Sequence, residues 1–235
     1  MNILGIDTTT KVLNIAIVNN SKIVVDCKIN KTEKTHSAII LPLLNSILNL
    51  TGIELKRIEA IAVSIGPGSF TGLRIGLSTA KGLAFALSIP IIGINSLESY
   101  AFEWLNFPGI LCPLIKARRG EYYFSLYFNK NNNLNQIRDY QCEKWINIKQ
   151  ELFRYKDNIY VFGYGLIDIL QEEKIEELSK INNIFFLKNN QSAANAINVA
   201  LIGEKRFLEK KCDDIYKLTP FYISKSEAEI KKDRK

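Results

Sequence analysis

The residues best suited to chemistry fall in a few short stretches. Ser64 to Gly76 reads SIGPGSFTGLRIG, a glycine-rich turn between an apolar run and a helical pattern, which is the setting in which backbone amides cradle phosphate. The two standard phosphate patterns fail on it. Counted from Gly68, Leu73 breaks the Gly-x-x-x-x-Gly-Lys-Ser/Thr series, and Thr71 stands where Gly-x-Gly-x-x-Gly needs its third glycine, with Gly72 one place late. Asp7, Thr8 and Thr9 sit at a hairpin tip where a carboxylate and hydroxyls could assist a nucleotide and its metal. That tip has no glycine, so backbone approach to a phosphate is hindered and a turn-capping role for Asp7 is as good a reading.

His36 is the only histidine, too few imidazoles for a zinc or iron centre, and no Gly-x-Ser-x-Gly accompanies it for hydrolase chemistry. It reads as a helix-start or contact residue. Cys27, Cys112, Cys142 and Cys212 are widely spaced, which argues against both a zinc site and a disulfide framework. No metal site is therefore expected. Arg118 and Arg119, in Lys-Ala-Arg-Arg-Gly-Glu-Tyr-Tyr, could touch RNA through phosphate contacts and stacking, although a hairpin turn with an Arg-Glu pair explains them as well.

Gly72, Gly76 and Ala80 are four apart, so on a helix they stack into a strip with almost no side chain. A glycine inside a helix costs about 1 kcal/mol relative to alanine, which implies that something approaches closely. The strip is expected to admit another helix, with Arg74, Ser78 and Lys81 as its polar edge.

Positioning these residues takes a repeated set of elements. Asn2 to Asp7, Val12 to Val18 and Ile23 to Ile29 read as a meander, Ser37 to Leu50 as a helix, and Ala60 to Ile65 as a strand. A helix at Phe70 to Leu87, a strand at Ile91 to Ile94 and a short helix at Leu97 to Leu105 complete a β-β-β-α-β-α-β-α unit. After a hinge at Asn106 to Gly109 the order recurs, ending on a helix at Ala193 to Leu208 and a charged tail from Lys225 to Lys235. The fold class is α/β, with two actin-like (ASKHA, ribonuclease H-like) domains of duplicated topology at 1–106 and 107–235.

At 235 residues with 47% hydrophobic content the chain can bury two such cores. Its net charge of +7 mildly favours an anionic partner. The start shows no signal-peptide pattern and no apolar run approaches the roughly 20 residues that span a bilayer, so a cytoplasmic protein without membrane contact is expected.

Several of these stretches together resemble the bacterial TsaB family, also called YeaZ. They are ILGIDTTT, His36-Ser37 followed by Leu41-Pro42-Leu43, GPGSFTGLRIG with its continuation to Pro90, Ala117 to Glu121, and Pro220-Phe221-Tyr222 with Ala228-Glu229. The match runs almost throughout the first half and in islands through the second, where Lys116 and Tyr164 replace residues that are usually acidic. The resemblance implies a scaffold subunit, not an enzyme by itself, in the machinery that makes N6-threonylcarbamoyladenosine beside the anticodon of certain tRNAs. Its partner would be a TsaD-type catalytic subunit, with a TsaE-type ATPase and tRNA joining through the complex, and ATP and metal held by those partners.

The paralogous catalytic subunit carries a His-x-x-x-His metal pair. Those positions correspond here to Ser96 and Tyr100, which are not metal ligands. The expected docking surface comprises His36, Phe70, Gly72, Leu73, Arg74, Gly76, Leu77 and Ala80, and the resemblance implies a homodimer through the same face when the partner is absent. A stand-alone actin-like ATPase, a glycoprotease-type metallopeptidase and an RNA-binding module remain as alternatives.

Overall fold

A computed structural model of the chain describes residues 1–30, 35–117, 120–172, 183–187 and 195–223. Three strands open the first sheet: β1 (Asn2–Asp7), β2 (Leu13–Asn19) and β3 (Lys22–Ile29), a meander as expected. They are followed by α1 (His36–Thr51), a short 3-10 turn, β4 (Ile58–Gly66), α2 (Phe70–Leu87), β5 (Ile91–Asn95) and α3 (Ser96–Phe102). The strand order is β3-β2-β1-β4-β5, with β1, β4 and β5 parallel. Central β1 and β4 are buried on both faces, which is why they read as apolar runs, whereas the edge strand β3 alternates exposed and half-buried residues.

The second sheet repeats this plan. It contains β6 (Gly109–Lys116), β7 (Glu121–Lys130), β8 (Asn133–Lys144), β9 (Ile159–Tyr164) and β10 (Ile184–Phe186), in the order β10-β9-β6-β7-β8. Helices α4 (Trp145–Leu152) and α5 (Leu166–Glu172) supply Trp145, Ile148, Leu152, Leu166 and Ile169 to the core on one face of this sheet. The charged tail from Lys225 to Lys235 lies outside the described residues.

The last helix among the described residues, α6 (Ala196–Leu208), corrects the expected boundary at 106/107. The chain divides into one unit of Met1–Ser99 with Ala193–Phe221 and another of Tyr100–Ser192 with Tyr222–Lys235. Helix α6 lies on the first sheet, on the face opposite α1 and α2, because small residues let the two backbones meet. A Cβ on Gly5 would stand 2.2 Å from the Ala196 carbonyl oxygen, and one on Gly203 would stand 2.4 Å from the Ala62 Cβ. The segment after α6 then closes the β5 edge: Asp213 N–H donates to the Ile91 carbonyl, its carboxylate accepts from Gly93 N–H at 2.8 Å, and Phe221 N–H donates to the Ile65 carbonyl.

Candidate functional site

The glycine-rich turn and the first hairpin tip meet directly. Gly66 takes a φ of 115°, Ser69 caps α2 by accepting from Gly72 N–H, and Ser69 N–H donates to the Thr9 carbonyl at 2.7 Å. Thr8 Oγ1 donates to the Gly72 carbonyl at 2.7 Å. A Cβ on Gly72 would stand 2.0 Å from the Thr8 carbonyl oxygen and one on Gly76 would stand 2.2 Å from Thr8 Oγ1. The strip predicted to admit another helix therefore admits the chain's own hairpin. Gly72, Leu73, Gly76, Leu77 and Ala80 are all buried inside the first unit and are corrected out of the expected docking surface. The physical reason is that the same bareness serves any close neighbour, and sequence spacing does not say which.

The hairpin tip is turned inward too. Asp7, Thr8 and Thr9 are buried. The Asp7 carboxylate accepts from Thr9 N–H and Thr9 Oγ1 on one oxygen and from Asn195 N–H on the other. Asn14 Oδ1 similarly accepts from Ala196 N–H. Asp7 and Asn14 thus hold the N-terminus of α6, where a carboxylate also suits the helix dipole. This geometry favours the capping role for Asp7, and these side chains are committed to the fold. The long-range pairing of Asp7 and Asn14 with residues 195 and 196 has no local signature in the sequence.

What α2 leaves outside is the stripe opposite its glycines. Phe70 and Arg74 of the expected surface are exposed, the Arg74 guanidinium lying 3.9 Å from the Phe70 ring centroid, while Ser78, Gly82 and Phe85 continue the stripe. Phe85 is 66% exposed, and Leu41 on the adjacent α1 is 51% exposed. His36 is half-buried with Nε2 3.1 Å from the Thr10 carbonyl oxygen, so it ties the start of α1 to the hairpin. Sequence reasoning missed Phe85 and Leu41; Phe85 is on the side of α2 away from its buried residues, and Leu41 is at the flank of the buried stripe of α1.

Ser96 and Tyr100 are both buried on α3, and Glu98 forms a two-oxygen ion pair with Arg206 at 2.6 and 2.8 Å. Among the described residues no group of three or more His, Cys, Asp or Glu converges as a metal site would require. Lys116 pairs with Asp168 of α5 at 2.5 Å, and Tyr164 is half-buried at the end of β9. Arg118 and Arg119 lie outside the described residues. None of the four cysteines is in a disulfide. Among the described residues no helix is long and apolar enough to cross a membrane.

Two copies of one strand-and-helix plan define an actin-like α/β protein of two domains. Solved structures share this fold: an uncharacterised Pseudomonas aeruginosa protein with similarity to peptidase YEAZ superposes with a TM-score of 0.77 at 19% identity, covering 95% of this chain and 99% of that one. The ethanolamine utilization protein EutJ of Carboxydothermus hydrogenoformans does so with a TM-score of 0.52 at 11% identity, covering 86% and 89%. By sequence, the family described as TsaD, tRNA N6-adenosine threonylcarbamoyltransferase, matches residues 29–232. The tRNA threonylcarbamoyladenosine biosynthesis protein TsaB of Bacillus subtilis (strain 168) is 33% identical over 234 residues, 98% of this chain and 97% of that protein. The chain belongs to the TsaB family.

Proposed function

We propose that this chain is a non-catalytic subunit of the machinery that forms N6-threonylcarbamoyladenosine in tRNA, acting in the cytoplasm beside a TsaD-type catalytic subunit. The observation that carries this reading is the likeness to a TsaB protein along nearly the whole of both chains. Two features of the chain agree with it. The hairpin tip that could have served a nucleotide is occupied by α2 and by the start of α6, and the positions of the paralogue's histidine pair hold a buried serine and tyrosine. Chemistry, ATP and metal then belong to the partner subunits, including a TsaE-type ATPase, and tRNA joins through the complex.

The docking face under this reading is the outer side of α1 and α2, around Leu41, Phe70, Arg74 and Phe85. An aromatic ring stacked by a guanidinium among exposed apolar side chains is the composition of an interface anchor. A homodimer through the same face would compete with that partner. The test is reconstitution of tRNA modification from purified components with and without this chain. Modification should depend on it; equal yields in both reactions would overturn the assignment.

A further inference from the structure

Every glycine of this chain except one is explained by the fold. Of the 13 glycines, all but Gly82 either have a positive φ or would set a Cβ within 3.0 Å of a neighbouring atom. Gly82 has neither. It is exposed in the interior of α2, and among the described residues no atom beyond its own stretch of helix lies within 4 Å of the place a Cβ would take. Alanine would fit there without strain and would make a better helix, so the glycine carries a cost that no contact within the folded chain offsets.

Its surroundings extend the bare patch. Ser78, one turn before, and Ala86, one turn after, are exposed on the same side of α2. The opposite side of this helix shows what such bareness admits, because there the backbone of Thr8 lies against Gly72. Bareness alone names no occupant; the side chains around it do.

Two observations bear on the occupant. Large side chains flank the patch: Phe85, 66% exposed, is one turn from Gly82, and Phe70, with the Arg74 guanidinium over its ring, precedes Ser78 by about two turns. The other observation is charge. Helices α1 (36–51) and α2 (70–87) contain no Asp or Glu, and their charged side chains are Arg74 and Lys81. The same two helices of a second copy would therefore bring only like charges to this face, whereas a helix bearing carboxylates complements it.

We propose that a helix of a different subunit, apolar at its centre and carrying carboxylates toward Arg74 and Lys81, crosses α2 at Gly82 with its backbone too close to admit a methyl group there. Small side chains at a crossing point are what let two helix axes approach. The inference rests on the subunit reading above and deepens it: the partner face has a fixed crossing point, and its occupant is the TsaD-type subunit in preference to a second copy.

The test sets melting temperature against affinity for the TsaD-type subunit, measured by titration calorimetry, in Gly82→Ala and Gly82→Leu of the full chain. Both substitutions favour the helix, so each melting temperature should rise by about 2–4 °C. Affinity should nevertheless fall roughly tenfold in Gly82→Ala and further in Gly82→Leu, because the added carbons overpack the crossing. For the parent, raising salt from about 0.1 M to about 0.5 M should weaken binding of the subunit severalfold.

If the parent binds the subunit and both variants bind it equally well, the crossing is overturned and the subunit reading stands. A fall in melting temperature would overturn the crossing too, since it would give Gly82 a role inside the fold. Variants that keep the TsaD-type subunit but lose a homodimer would make the occupant a second copy, and the proposal falls. Affinity indifferent to salt would overturn the charge match on which the choice of occupant rests. A parent chain that binds no TsaD-type subunit would remove the subunit reading itself, and the crossing with it.

Discussion

Thr8 Oγ1 reaches the Gly72 carbonyl at 2.7 Å through a gap that only the missing side chains of Gly72 and Gly76 leave open. This relationship joins the first hairpin to the first turns of α2, and it replaces a subunit-contact role for the glycines with a folding one. Gly76→Ala should therefore destabilise the chain by about 2–4 kcal/mol in urea unfolding, as forced overpacking does. The added methyl meets Thr8 Oγ1, so the double variant Gly76→Ala/Thr8→Ala should recover much of the loss. Additive losses would show that the clash lies elsewhere.

Docking is expected to be read by the opposite side of α2. Phe85→Asp and Leu41→Asp alter exposed side chains, so unfolding free energies should stay within about 0.5 kcal/mol of the parent. Affinity for a TsaD-type subunit should fall by about 2 kcal/mol or more where an anchor is lost, measured by titration calorimetry or co-purification. Full affinity in both variants would place the partner on another face.

Asp7 offers a separate check on the hairpin tip. Asp7→Asn keeps the shape but leaves one of the N–H groups of Thr9 and Asn195 without its acceptor, which should cost about 1–3 kcal/mol of stability. The loss should be the same with and without ATP. Stabilisation of the parent by ATP that vanishes in the variant would return Asp7 to nucleotide binding.

Thiol chemistry should report the first unit's edge and the second unit's core differently. Burial pushes the Cys112 thiol far up, while Cys212 is exposed and raised by partial burial and by Asp213. In native protein near pH 8, Cys212 should alkylate ahead of Cys112, because the thiolate is the reacting form. Cys112 should react only as fast as the second sheet opens. Mass spectrometry of timed iodoacetamide reactions reads both.

Much of the architecture was legible because both sheets announce themselves by period. The β-branched runs of β1, β2 and β4 and the helical spacing of α1 and α2 gave elements within a residue or two of those found, and the recurring order gave the duplication. What remained hidden was which surfaces meet. Gly5 against Ala196 and Ala200, and Gly203 against Ala62, are matches between small residues far apart in the chain, so nothing local reveals that α6 belongs to the first sheet. The same holds for the glycines of α2: their spacing declares a close neighbour, and only the folded chain identifies it as Thr8. On the outer face the helical period places Arg74 and Ser78 away from the core, while nothing local marks the exposed Phe85 and Leu41 as contact residues, because an apolar side chain by itself does not say what covers it.

The return of α6 to the first sheet also sets an order of synthesis. Ile3, Ala62 and Gly5 are translated long before the helix that covers them, with the residues of the second unit emerging between. During translation that face of the sheet stays open, exposing apolar strands to chaperones or to a neighbouring nascent chain until the ribosome has passed α6 and the edge-closing segment behind it. A message truncated after the expected hinge would yield a sheet finished on one side only.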